Sequence, residues 1–468
     1  MSEKLTTNGA LTYNSSGNAL LDFFFAIGGA RTMGDKLLAM FAIAFIANPG
    51  MALRALFYMR DPRHGQGQRE AFRNILKWLA INEPKIVMAN ICVIPVYGRW
   101  DDLFALRDTV CWDGALRQIA NALSDGNALC AKWMPREKSK RYPGIAREIR
   151  QHLGLSLKEY RKLLTRLTTV VEQPMCAGTW DQIDYSGVPS RAMSIYSKAF
   201  GKRDTERFGA WKAALVKEVG TDTVAAAKVN AGAIYPHEIM AKLLHDAEHP
   251  DMLQAMWAAL PDYTNGKKFM VMVDGSGSMF NTPGIAPGEI AIALAIYMAE
   301  RQIGPLANSF LTFSMRPQLI NLPPRLTVKE KAQICLRYTE VANTNLVAAF
   351  ELMLKTAISS KAKPSEMPET VLVLTDMEFD QGTSLDLTTF EAIRARYADA
   401  GYACPNIVFW NLAGTSSVPV KFNQAGAALV SGFSPSLLQG ITSGEISPVK
   451  IMENILLQKH YDGVVLPP

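Results

Sequence analysis

Cysteine, histidine and long apolar runs are all scarce in this chain, and each scarcity excludes something. The six cysteines among 468 residues stand at 92, 111, 130, 176, 335 and 404, with no CxxC pair. That spacing excludes a disulfide scaffold and a zinc ribbon, and it suits a reducing compartment. The longest apolar runs, 37–47 and 290–299, hold 11 and 10 residues, whereas a membrane-spanning helix needs about 20. Residues 1–16 are polar and lack the basic-then-apolar pattern of a secretory signal. No GxxxxGK[ST] is present, so there is no P-loop. With 49% hydrophobic and 20% charged residues, the composition is that of a globular protein, and the length calls for two or three domains. These absences together lead to the expectation of a soluble, cytoplasmic protein.

What the chain does have is charge in one place. Between Lys132 and Arg166 there are eleven Lys or Arg against three acids, Glu137, Glu148 and Glu159, a local excess of +8 in a chain whose total is +6. From Gly266 onward the count is 16 basic against 17 acidic. The basic stretch reads as a proline-broken loop and two helical pieces. In the second piece Leu157, Tyr160, Leu163, Leu164 and Leu167 fall on one face and Lys158, Arg161, Lys162 and Arg166 on the other. A docked apolar face with a basic face outward is how a protein offers charge to phosphates, although a solvated helix face has the same pattern.

Hydrophobic periodicity splits the chain in two. From Asn18 to about Leu260 it is helical, with segments expected at 35–47, 51–58, 69–81, 84–92, 114–123, 157–171, 188–199, 206–217, 236–245 and 251–258. Successive pairs recur about every 34 residues, as in an irregular helical-repeat stack with a binding surface. After the turn-rich segment 261–266 the period changes. Apolar strands at 268–273, 309–313, 371–375, 406–411 and 427–430 alternate with helices at 289–301, 346–354, 390–398 and 448–458, which predicts a doubly wound parallel sheet. The expected domains are a tail (1–17), an all-α helical-repeat module (18–262) and an α/β domain (267–468), with residues 18–30 as a strap against the second domain.

The densest chemistry is VDGSGSM, where a strand ends and Asp274, Ser276 and Ser278 follow at alternate positions. Two later strand-end loops add Thr344 and Asp376. Five oxygen side chains with two negative charges, and no His or Cys, select Mg²⁺, Mn²⁺ or Ca²⁺ over zinc. If no metal binds, the two aspartates are simply helix caps.

The three elements in this order resemble a von Willebrand factor A domain with a complete metal-ion-dependent adhesion site. The resemblance gives Asp274, Ser276, Ser278, Thr344 and Asp376 the metal-binding places and leaves one coordination position for a partner's acidic group. Segments such as ALFYMRDPRHGQGQREAF (55–72), VYGRWDDL (96–103), WDQIDYSGVPSRAM (180–193), TDMEFDQ (375–381) and ALVSGFSPSLL (428–438) extend the match. They resemble a family of Ro-like proteins of bacteria, plants and phages, in which a TROVE-related helical module precedes a von Willebrand A domain. In the related Ro autoantigen the helical repeats close into a ring that takes single-stranded RNA ends in its hole and structured RNA on its outer surface. The resemblance therefore implies RNA as a partner, in a cytoplasmic or, for a phage protein, virion-associated setting. Its RNA-contacting residues have no motif that transfers to this sequence.

Remaining signals are weaker. His245, Glu248 and His249 fit HxxEH, but Pro250 follows at once and a solvent-facing helix end is the better reading. Arg60, Arg63, His64, Arg69 and Arg73 surround the HGQGQRE turn (64–70), a place where a loop feeding a helix could take a phosphate. Cys176 has no nearby His and reads as a buried small hydrophobe rather than a nucleophile. Trp100, Trp133, Tyr142, Trp180 and Tyr185 could stack bases, but core packing is the commoner use of such residues.

The expectation is a non-enzymatic binding scaffold, since no general base or nucleophile attends the metal loops. Candidate RNA contacts are Lys132, Arg136, Lys138, Lys140, Arg141, Arg147, Arg150, Lys158, Arg161 and Lys162, with Arg60, Arg63 and Arg69. The alternative is a protein–protein assembly component that uses the metal site without RNA.

Overall fold

The structure is a computed structural model that describes residues 3–5, 11–13, 15–219, 231, 234–245, 249–280, 286–314, 316–338, 346–377, 387–413, 427–441 and 446–467. Phe269–Asp274 (β1), Ser309–Phe313 (β2), Leu319–Asn321 (β3), Thr370–Thr375 (β4), Asn406–Asn411 (β5) and Ala427–Ser431 (β6) form one sheet. Its order is β3-β2-β1-β4-β5-β6. Every neighbouring pair is parallel except β2–β3, an antiparallel edge. All positions of β1 and β4 are buried, which is why FMVMV and VLVLT read as unbroken apolar runs rather than alternating ones. The Pro287–Ala299 helix is buried along nearly its whole length, as its all-round apolar sequence requires. The strand order reverses between β1 and β4. In such sheets the crevice for a ligand opens there, at the carboxyl ends of the strands.

Among the described residues of this domain, the strand β3 and the α-helix Val328–Leu336 were not legible in the sequence pattern. The strand is three residues long and lies on the edge, too short for a period to show. The helix carries a capping box, with Thr327 accepting from the Glu330 amide and Glu330 from that of Thr327.

Contacts divide the chain into two compact units that do not part at 261–266. The first comprises Met1–Met33 and Lys212–Ile455, and the second Gly34–Trp211 and Leu456–Pro468. In the first, the Ala19–Ala26 helix starts at Asn18, whose side chain accepts from the Leu21 amide at 3.1 Å. It buries Leu20, Leu21, Phe23, Phe24 and Phe25 and packs on β6, as expected for an N-terminal strap. Gly28 permits the approach, because a Cβ there would sit 2.6 Å from the Gly432 amide nitrogen. The Pro236–His245 helix packs on Pro287–Ala299, and Trp257 donates to Glu300 at 2.7 Å. The last helices before the turn thus share the sheet domain's core.

The second unit is helical. Asp35–Ala47, Pro49–Arg60, Arg69–Asn82, Trp112–Ser124 and Ser190–Arg203 stand close to their expected positions. Leu157–Leu167 stops short of the expected 171, where the Thr168 hydroxyl turns back to the Leu164 carbonyl at 2.6 Å. The end of the chain also belongs to this unit. Tyr461 is fully buried among Tyr58, Tyr97 and His460. Asn90 makes two bonds with Val465, donating to its carbonyl at 2.7 Å and accepting from its amide at 2.9 Å. Tyr97 donates to the His460 carbonyl at 2.7 Å, and His460 pairs with buried Asp61 at 2.6 Å. Among the described residues no helix is long and apolar enough to cross a membrane.

Candidate metal centre and nucleic-acid interface

The β1 strand delivers Asp274 at its last residue, and the segment after β4 delivers Asp376, so both carboxylates reach the crevice where the strand order reverses. Both are almost fully buried. Asp274 accepts from the Ser276 amide at 2.9 Å and from the Thr375 hydroxyl at 2.8 Å. Ser276 and Ser278 bring their hydroxyl oxygens within 3.1 Å of each other. Burial lifts the Asp274 carboxyl to about 6; the nearby Asp376 charge adds to this, while the bonds from Ser276 and Thr375 oppose it. Among the described residues Asp274 has no ion pair. A buried carboxylate facing a second one, with neutral donors only, favours a cation.

Among the described residues no three His, Cys, Asp or Glu side chains gather into a metal-ligating group. A cation at this place would therefore draw on hydroxyls as well as the two carboxylates, a donor set that fits a hard divalent ion. Thr344 lies outside the described residues. Thr375 belongs to no metal-binding motif of the sequence. It is fully buried, holds one Asp274 oxygen, and accepts from the Met377 amide at 3.0 Å. Its only signal is its place at the end of a strand, immediately before an aspartate.

The basic stretch is organised by its own acids. Glu137 pairs with Arg150 at 2.8 Å. Glu148 pairs with Arg107 at 2.5 Å and accepts from the Trp112 indole at 2.7 Å. Glu159 caps its helix by accepting from the Ser156 amide at 2.8 Å. Lys132 pairs with Glu172 at 2.8 Å. Arg136, Lys138, Lys140, Arg141, Arg147, Lys158, Arg161 and Lys162 remain exposed. Tyr160 and Leu164 anchor the helix from its buried side, while Leu157 at its start stays exposed.

The HGQGQRE turn is built differently from a phosphate cradle. The amides of Gln66, Gly67 and Gln68 donate to the carbonyls of Tyr58, Asp61 and Met59 at 3.1, 3.0 and 2.8 Å, so they are consumed within the chain. Arg60 points inward, buried, with its Nε 2.7 Å from Asp102. Arg63 is exposed and Arg69 half-buried. Cys176 is exposed, against the expected burial, because its short helix Glu172–Ala177 buries no residue. His245 ends one helix and His249 caps the next, so they do not share a helical face; Glu248 lies outside the described residues. Tyr185 is buried and donates to Asp204 at 2.7 Å, while Trp100, Trp133, Tyr142 and Trp180 are half-buried.

A six-stranded, mostly parallel sheet in this order, with carboxylates at its switch point, is a doubly wound α/β fold consistent with a von Willebrand A-like domain, and the same chain carries a helical unit. The chain belongs to the family defined by a domain of unknown function, DUF2828, whose model matches residues 6–106 and 116–268. Residues 269–453 match a second domain of unknown function, DUF7788. The two matches meet at 268/269, beside the expected change of pattern. The chain is 30% identical over 506 residues to the uncharacterized protein L728 of Acanthamoeba polyphaga mimivirus, covering 96% of this chain and 86% of the viral one. It is also similar to the crystal structure of the Ro (RSR) protein of Deinococcus radiodurans, at 12% identity and a TM-score of 0.44, over 94% of this chain and 99% of that one.

Proposed function

We propose that this protein is a non-enzymatic scaffold that binds RNA through the basic surface of its helical unit. The observation that carries the reading is the use made of acids around that surface. Glu137, Glu148 and Glu159 are each engaged in holding local structure, while Lys138, Lys140, Lys158, Arg161 and Lys162 face solvent. The exposed surface therefore presents an excess of cations, which suits a polyanion. The sequence resemblance to Ro-like proteins makes RNA the polyanion of choice, single-stranded or structured.

In the same reading Asp274, Ser276, Ser278, Thr344 and Asp376 hold a Mg²⁺, Mn²⁺ or Ca²⁺ ion. Such an ion supplies an open coordination position for an acidic group of a protein partner. The bonds to Asp274 from the Ser276 amide and the Thr375 hydroxyl hold the loop in shape, and Ser276 and Ser278, half-buried and exposed, keep their hydroxyl oxygens 3.1 Å apart. The test is native purification followed by binding of fluorescent single-stranded and duplex RNA at low and raised salt. RNA retention that falls steeply with salt supports the reading. A stoichiometric protein partner with no RNA binding at low salt hands the case to the assembly role.

A further inference from the structure

Within the helical unit, Asp101 and Asp102 are fully buried and collect three guanidinium groups. Arg60 Nε and Arg73 Nε each lie 2.7 Å from a carboxylate oxygen of Asp102. Arg73 Nη2 lies 2.8 Å from Asp101, Arg99 Nε lies 3.2 Å from it, and the Tyr142 hydroxyl donates to it at 2.8 Å. The Arg99 amide takes a further place on Asp102 at 2.8 Å. Two carboxylates thus serve three arginines, and the buried layer carries one positive charge in excess.

The rim enlarges that excess. Arg69 Nε pairs with Glu70 at 2.8 Å, and the charges of Arg73 and Arg141 also act on Glu70. Arg99 in turn feels the repulsion of Arg69 and Arg60 on top of its burial. Five arginines therefore face three acids. Two of the five lie over aromatic rings: the Arg99 guanidinium is 4.0 Å from the Trp133 ring centre, and that of Arg141 is 5.2 Å from that of Tyr142. A ring beneath a guanidinium fixes its plane and leaves its N–H edge for a planar or tetrahedral oxyanion. Like charges are thus held together and pre-oriented, which a protein tolerates best when an anion completes the set.

We infer that Arg69, Arg99 and Arg141 form a phosphate seat, built on the buried Arg60–Asp102–Arg73–Asp101 network, that takes a backbone phosphate of RNA. This rests on the RNA reading above but is a separate claim. Its location differs from the exposed 157–167 helix, and it assigns Arg60 and Arg73 a supporting place beneath the ligand.

The experiment uses the full chain, wild type and Arg69→Gln/Arg141→Gln, with a fluorescein-labelled oligouridylate in anisotropy titrations between 50 and 200 mM salt. A parallel arm measures the thermal shift produced by inorganic tripolyphosphate. Arg69 and Arg141 lie at the solvent-facing rim, so the variant should melt as wild type does without ligand. The expected result is a salt slope shallower by about 1.4, two contacts at about 0.7 each, and loss of the tripolyphosphate shift. Arg99→Lys, which keeps the charge but not the fork, should lose part of that shift. If wild type binds RNA and the double variant keeps both the slope and the shift, the seat is overturned and the RNA reading stands. If wild type binds no RNA but its tripolyphosphate shift vanishes in the variant, the RNA reading fails, the arginines are upheld as a phosphate seat, and its assignment to an RNA phosphate is overturned. Absence of both signals in wild type overturns both.

Discussion

Replacing Tyr461 by alanine should loosen the helical unit even though the residue lies seven places from the end of the chain. Its ring is completely buried and packs against Tyr58, Tyr97 and His460, with centroid distances of 6.3, 5.5 and 4.9 Å. Truncating a buried aromatic ring to alanine typically costs about 3–5 kcal/mol, from lost transfer energy and the cavity left behind. The hydroxyl contributes little, since it lies 3.5 Å from Asp61, at the limit of a hydrogen bond. Tyr461→Phe should therefore cost less than about 1 kcal/mol. Urea titration followed by tryptophan fluorescence suits the comparison, because six of the eight tryptophans lie in this unit. The two units need not unfold together, so the transition assigned to the helical unit is the one to compare. A loss below about 1 kcal/mol for the alanine variant would refute the claim that the tail is part of this unit's core.

The other expectations concern charge, metal, pH and chain division. Reversing charge at Lys158, Arg161 and Lys162 together should weaken binding to every RNA sequence alike and flatten the salt slope by about 2, three contacts at about 0.7 each; anisotropy at several salt concentrations reads it. Asp274→Ala should abolish binding of about one equivalent of Mn²⁺ per chain, measured by calorimetry, while variants in the 157–167 helix keep it. Burial first, and then the charge of His460, hold the His64 imidazole below its ordinary value of 6.5. The unfolded chain therefore takes that proton more readily, and stability complete above pH 6.5 should fall as pH drops through that value. His64→Gln should reduce this acid-side loss in urea titrations at pH 7.5 and 5.5. Finally, residues 267–468 expressed alone should melt without cooperativity, because they lack the Ala19–Ala26 and Pro236–His245 helices that pack on the sheet domain. Calorimetry of that fragment beside the intact chain decides the point.

The sheet was legible because buried parallel strands write themselves as unbroken apolar runs, and FMVMV, VLVLT and NIVFWN carry no competing helical period. The two aspartate-bearing strand ends were legible for a related reason. Asp274 and Asp376 follow such runs directly, and the end of a strand in this topology is a fixed address. The basic excess of 132–166 was a matter of counting. Other features depend on residues far apart in the chain. Nothing local shows that Glu137 and Glu148 neutralise Arg150 and Arg107 and so leave other cations outward, or that Arg60 turns in to Asp102, 42 residues away. Thr375 gains its place only because β1 and β4, about a hundred residues apart in sequence, lie side by side. The two strands of local evidence at 261–266, turn residues and a change of period, marked where the pattern changes. They could not reveal that both chain ends cross that line, because packing answers to complementary surfaces: Phe23 and Phe24 find theirs in the sheet domain's unit, and Tyr461 finds its own among the helices. The sequence thus determined the main strands and helices and set two aspartates at strand ends, and only the tertiary structure decided which distant charges and termini complete each unit.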